Sequence, residues 1–426
     1  MQFKPYSKYK DSGVEWLGKV PKHWQVRALQ IAARSNPYAF VDGPFGSDLK
    51  NEEYTESGVP LIQLNNIGVG YHSTNSLNFV SQEKSKQLRK HQALTGDVVI
   101  AKMAEPVARA AKVSDEFSCY VIVADCIKLT VDEERFNSNF IVYYLNSPTC
   151  KAMAEAQATG TTRLRINLGM LKKLPLLFPP LPEQHAIASY LDCETARLDD
   201  LISRQQRLIE LLQEKRQALI GHAVTRGLDE NVALKDSGVE WLGKVPEHWE
   251  VKKLGYMATL KSGDAITSEQ IEEEGTYSVF GGNGLRGYTE KFTHSGYYVL
   301  IGRQGALCGN INYASGEFWA SEHAVVVNPL CKFETVWMGE LLRSMNLGQY
   351  SISAAQPGLS VEVINKLKIP IPPLPEQRAI ANHIETETSK IDRLIARAER
   401  AITLMQEHRS ALITAAVTGQ IDVRCL

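Results

Sequence analysis

Two repeats, each spelled almost letter for letter, constrain this chain more than any other feature. KDSGVEWLGKVP occupies Lys10–Pro21 and returns unchanged at Lys235–Pro246, each copy followed by one variable residue and then His-Trp. PPLPEQ-x-AIA occupies Pro179–Ala188 and returns at Pro372–Ala381, and each copy opens a long helical stretch. The first pair of boxes is 225 residues apart and the second pair 193, so the first insert is 32 residues longer than the second. The repeated unit is box, variable insert, helix. Two tethered copies of one design suit a protein that grasps two similar but non-identical things.

The repeat divides the chain into a first box (1–27), a first insert (28–177) and a first helix (178–229). A linker with the second box (230–252), a second insert (253–370) and a second helix (371–426) follow. Pro182 and Pro375 stand in the first helical turn, where the missing N–H costs nothing, with Glu-Gln next to the positive end of the helix dipole. Apolar residues then recur at 4/3 spacing: Ile187, Leu191, Leu198, Leu201, Leu208 and Leu212 in the first helix. The second has Ile380, Ile384, Ile391, Leu394, Met405 and Leu412. Gln205 and Ala398 are among the skipped positions. Gly227 and Gly419 lie where left-handed caps are expected. Each helix would run roughly 40 residues, or about 60 Å. A single stripe on rods of this length predicts a coiled-coil seam, each helix partnering the other antiparallel; the alternative is that each packs on its own domain.

The inserts read as mixed α/β. Strands are expected over 59–64, 97–101, 121–129, 297–302 and 324–328, and short helices over 139–145 and 336–345. The fold class predicted is α+β, with two mixed α/β domains, each followed by a long helix.

Composition narrows the function. Seven cysteines without a C-x-x-C spacing predict reduced thiols in a cytosol. No apolar segment approaches the length of a membrane span, and the N-terminal residues lack the apolar core of a secretory signal. The formal net charge is −1, and neither insert is basic overall: 16 basic against 15 acidic residues in 28–177, and 9 against 11 in 253–370. Nucleic-acid binding would therefore rest on local clusters or on a partner.

Apparent catalytic motifs dissolve on inspection. Gly13–Val20 has phosphate-loop spacing but Val20 where Ser or Thr must hold magnesium. Gly282-Asn-Gly284-Leu-Arg-Gly287 is followed by turn and strand residues, not by the helix that a dinucleotide site requires. Asn36-Pro37-Tyr38 reads as a turn, and the histidines show no metal-site spacing. Trp16, Trp24, Trp241 and Trp249 are expected to anchor the boxes, with His23 and His248 packing beside them. No catalytic or metal-binding residue is predicted.

What remains are glycine-rich loops bearing Arg, Lys, Asn and Gln. Arg presents parallel donors to a guanine edge, Asn and Gln a donor–acceptor pair to adenine, and glycine lets the backbone approach phosphates. The candidates in the first insert are Phe45, Ser47, Asn65, Asn66, Lys102, Arg109, Thr162, Arg163 and Arg165. In the second they are Asn283, Arg286, Arg303, Gln304, Gln356 and Ser360. The plainer reading of any single one is a solvated or turn-forming side chain.

The duplicated GVEWLG-x-VP-x-HW and PPLPEQ-x-AIA boxes, together with GGNGLRGY, GRQGALCGN and Gln356-Pro-Gly-Leu-Ser360, resemble the specificity subunit of type I restriction-modification enzymes over essentially the whole chain. The resemblance implies that the inserts are target-recognition domains, each reading half of a bipartite, asymmetric site on double-stranded DNA. It implies that the helices act as ruler and as docking surface for two methyltransferase subunits, with restriction/translocase subunits joining them in the cytoplasm. S-adenosylmethionine, ATP and magnesium would then be used by those partners, and this chain would bind no cofactor. A subunit serving a methyltransferase alone and a two-domain protein scaffold are the alternatives.

Overall fold

The computed structural model describes residues 4–46, 48–103, 105–160, 164–305, 307–351 and 358–424. The chain divides into two compact units, residues 1–204 with 401–426, and residues 205–400. The boundary cuts both long helices, Leu181–Arg226 and Leu374–Val417. Each unit thus holds the first half of one helix and the second half of the other.

In the first unit the box is a hairpin, Tyr9–Asp11 against Lys19–Pro21, turned through Gly13 and Gly18 in the left-handed region (φ +72° and +58°). Trp24 is fully buried, whereas Trp16 is 54% exposed at the hairpin tip. Trp16 therefore does not anchor the box; Trp24 does. Strand Gln25–Ala28 pairs antiparallel with Pro175–Phe178, tying the entry of the insert to its exit. Between them lie two sheets. One is antiparallel, in the order 110–112, 98–101, 126–129, 40–42. The other runs 54–55, 79–80, 59–62, 119–122, 92–94, with its third and fourth strands parallel.

The run expected as one strand over 121–129 is two, Cys119–Ile122 and Cys126–Leu129, one in each sheet. Asp125 sits at φ +66° in the turn that carries the chain across. The expected strand at 59–64 ends at Ile62, giving way to a 3-10 turn at Leu64–Asn66. Helix Ser138–Asn146 packs Phe140, Ile141, Tyr144 and Leu145 into a core shared with Ile187 and Leu191 of the first helix and Leu412, Ile413, Ala416 and Val417 of the second.

The second unit repeats the plan with a leaner insert. Its box hairpin pairs Leu234–Asp236 with Lys244–Pro246, and Glu250–Lys253 pairs with Lys368–Ile371. One six-stranded sheet runs 258–262, 324–329, 294–302, 311–320, 277–281, 284–289. Helix Thr335–Ser344 buries Trp337, Met338, Leu341 and Leu342 against it, in a core that includes Ile220, Ala223 and Val224 with Ile380, Ala381 and Ile384.

The long helices run antiparallel within each unit. Arg409 pairs with Asp199 at 3.0 Å in the first unit and Arg216 with Asp392 at 3.1 Å in the second, the same ion pair reproduced by the 193-residue repeat. The buried stripe differs from the expected seam. Ile187, Leu191, Leu198, Leu212, Ile380, Ile384, Ile391 and Leu412 are buried and Met405 is half-buried, but Leu201, Leu208 and Leu394 are exposed. Their neighbours Ile202, Ile209 and Ile395 are turned inward instead, together with Thr195, Gln205, Thr388 and Ala398. The stripe thus advances four residues and then three from Leu191, which suits Thr195 and Thr388 because each hydroxyl donates to its own helix at 2.7 Å, to Leu191 O and Ile384 O.

Candidate nucleic-acid interface

Equivalent strand ends form a station in each insert. In the first, the backbone N–H of Lys102, just past strand Val98–Ala101, donates to Asp125 O at 2.7 Å, and Lys102 O accepts from Ile166 N–H at 3.0 Å. In the second, Arg303 N–H, just past strand His294–Gly302, donates to His323 O at 2.9 Å, and Arg303 O accepts from Leu359 N–H at 2.9 Å. Gly43 N–H donates to Cys126 O at 2.8 Å, and its counterpart Gly263 N–H to Ala324 O at 3.0 Å. Single bridges Met103–Arg165 and Gln304–Gly358 complete the match. The backbone frame is common to both.

The side chains on that frame differ. Lys102 Nζ pairs with Asp42 Oδ1 at 2.9 Å and is 12% exposed, and Arg165 pairs with Asp125. Arg303, at the position of Lys102, donates through Nη1 to Ser262 Oγ at 3.0 Å, and Ser262 ends the strand as Asp42 does. Arg303, Gln304 and Ser360 come together around an open depression of about 450 Å3, rimmed by Ser262, Val361 and Glu362. The first station cancels its own charge, whereas among the described residues Arg303 has no carboxylate partner.

Beside the second station, Asn283 turns the hairpin of Tyr277–Gly281 and Gly284–Thr289, and its Oδ1 accepts from Asn310 Nδ2 at 3.2 Å. A Cβ on Gly302 would fall 2.4 Å from Gly282 O, so glycine is needed for that turn to lie against Arg303's strand. Arg286 is exposed, its chain laid over Gly281. Phe45 is 73% exposed beyond Asp42, and Asn65 is exposed too.

Two candidates serve the fold instead. Asn66 is buried, its Oδ1 accepting from Gln63 N–H at 2.9 Å and its Nδ2 donating to Ser73 O at 3.1 Å. Arg109 donates to Ile67 O at 2.6 Å and Leu64 O at 2.8 Å, fastening a 3-10 turn to the sheet. Arg109 lies 42 and 45 residues from the carbonyls it holds, so no local spacing joins them. Ser47, Thr162, Arg163 and Gln356 lie outside the described residues.

Sequence reasoning missed Asp42, Asp125, Ser262 and His323. Lys102 and Asp42 are 60 residues apart and Arg303 and Ser262 41, so no local spacing joins them. It also missed the role of the first-turn glutamates, which hold both His-Trp pairs. Trp24 Nε1 donates to Glu183 Oε1, and His23 Nε2 lies 2.9 Å from Oε2; Trp249 and His248 meet Glu376 in the same way. The signal was present, since both boxes recur together. The adjacent glutamines hold the inserts: Gln184 Oε1 accepts from Asn137 N–H at 3.0 Å and Gln377 Oε1 from Glu334 N–H at 2.9 Å.

A family model for the type I restriction modification DNA specificity domain matches residues 48–211 and 246–402. The EcoprrI type I restriction enzyme specificity subunit of Escherichia coli is 32% identical over 291 residues, covering 65% of this chain and 67% of that protein. A putative MjaX type I restriction enzyme specificity subunit of Methanocaldococcus jannaschii is 22% identical over 433 residues, covering 96% of each. Among solved structures, a chain described under complex assembly and conformational transition of the type I R-M system shares the fold at TM-score 0.74 and 16% identity, covering 93% of this chain and 98% of that one. The HsdS subunit of Thermoanaerobacter tengcongensis shares it at TM-score 0.57 and 16% identity, over 94% and 98%. Matched once over each half, in step with its own internal repeat, this chain belongs to the type I restriction-modification DNA specificity family.

Proposed function

We propose that the chain is the DNA-reading, non-catalytic subunit of a type I restriction-modification complex, each insert contacting one half of a bipartite, asymmetric duplex site. One observation carries the reading: two stations share a hydrogen-bonded backbone frame and differ in the side chains set on it. A common frame with different letters is what two unlike half-sites require, because base edges are told apart by donor and acceptor pattern. Two adenine methyltransferase subunits, holding S-adenosylmethionine, are the proposed partners on the helices and boxes, and restriction/translocase subunits using ATP and magnesium join them. Those partners would also supply phosphate contacts, which supports binding by a chain of net charge −1.

Selection from a pool of randomised duplexes by the chain assembled with its methyltransferase tests this. The enriched pool should show two different short motifs separated by a fixed number of unread base pairs. A pool with no motif, bound only through phosphates, would overturn the proposal.

A further inference from the structure

Matching backbone bonds make the two stations comparable position by position: Asp42 with Ser262, Lys102 with Arg303, Met103 with Gln304, Asp125 with His323, and Arg165 with Gly358. The substitutions at these positions are not random with respect to charge. Where the first station has two cations it also has two carboxylates to hold them. Where the second has one cation it has a hydroxyl in place of the nearer carboxylate and no side chain at the position of Arg165.

We infer that the residue ending the first strand of each recognition sheet, Asp42 in one domain and Ser262 in the other, sets what the cation opposite it can read. This rests on the DNA-reading function proposed above. A guanidinium has five N–H donors in a fixed fork. Ser262 takes one, orienting the plane, and the others have no partner among the described residues. They are directed by a residue that bears no charge, so the fork is available to the O6 and N7 acceptors of a guanine. Lys102 has its ammonium committed to Asp42 in a half-buried ion pair, which removes it from both base reading and phosphate attraction. The first station therefore offers carboxylate acceptors and a neutral surface, and the second a free donor fork. Ser262 is a positioning residue, acting through Arg303.

The test exchanges the two letters in the chain assembled with its methyltransferase, using the randomised-duplex selection and one half-site as internal control for the other. Ser262→Asp should give Arg303 the ion pair that Lys102 has, and cost about tenfold or more in discrimination for guanine at one position of one half-site. The other half-site should be unchanged. Ser262→Ala leaves the fork uncharged by any neighbour but no longer oriented, and should keep guanine preferred with weaker discrimination than wild type, short of the loss in Ser262→Asp. Asp42→Ser should release Lys102, steepening the dependence of log affinity on log salt by about 0.9. Retention of the wild-type motif by Ser262→Asp, with an unchanged salt slope for Asp42→Ser, would overturn the inference. A wild-type complex without any motif would instead overturn the DNA-reading function itself.

Discussion

The indole N–H of Trp24 donates to Glu183 Oε1 at 3.1 Å, and the repeat reproduces the contact at Trp249 and Glu376 at 3.0 Å. A glutamate in the first turn of a helix already gains from the dipole; here it also accepts from His-Trp and fixes the box to the helix start. The Glu183 side chain is 3% exposed and that of Glu376 28%. Glu183→Ala should therefore cost about 1.5–3 kcal/mol through lost charge-assisted bonds, and Glu376→Ala less. Urea unfolding of the two variants checks the order; equal losses would show that burial does not govern the contact.

The helix stripe makes a sharper prediction. Leu198 and Ile391 are buried, whereas Leu201 is 37% and Leu394 47% exposed. Leu198→Ala or Ile391→Ala should lower stability by roughly 2–4 kcal/mol, as for other core truncations. Leu201→Ala or Leu394→Ala should stay within about 1 kcal/mol. Thermal unfolding of the four variants distinguishes this stripe from one displaced by a residue.

Arg109 and Arg303 should separate stability from reading. Arg109→Ala removes donors from Ile67 O and Leu64 O and should lower the melting temperature without altering the enriched motif. Arg303→Ala should leave the melting temperature within a degree or two and lose discrimination at one half-site, by about tenfold or more.

Acid should weaken the first recognition domain through His91. Nδ1 lies 2.7 Å from Asp42 O, a geometry in which it donates, and the buried Nε2 has no partner among the described residues. Burial holds this imidazole below its ordinary value of 6.5, with Lys90 and Lys128 pushing the same way and the Asp42 carbonyl and Asp48 opposing. The unfolded chain is then the better proton binder, so the contribution is intact above the unfolded value. It is lost as pH falls from about 6.5 toward the folded value, by up to about 1.4 kcal/mol per pH unit. Melting temperatures of wild type and His91→Gln between pH 7.5 and 5 should diverge in slope, the variant's being flatter.

The architecture was legible because its signals are local or repeated: the boxes, the proline-started helices and the glycine caps are each contained in a dozen residues. The seam was half legible. Leucine next to isoleucine at 201–202, 208–209 and 394–395 satisfies either of two stripes, and Thr195 and Thr388 look polar until their hydroxyls are seen to bond their own helix. Individual readers were the least legible. Whether Lys102, Arg109 or Arg303 is free depends on Asp42, two carbonyls and Ser262, contacts made by folding rather than by spacing.

The division of the long helices has a consequence for how the polypeptide matures. Residues 205–400 form a unit contiguous in sequence, but the unit containing residues 1–204 lacks Leu412, Ile413, Ala416 and Val417 until residues 401–426 are made. At a synthesis rate of about 5–20 residues per second, residues 1–204 wait roughly 10–40 seconds for residues 401–417 with an oily slot open, while all of residues 205–400 has been made in that interval. Birth order and completion order are reversed, and the nascent N-terminal half is where a chaperone would be needed.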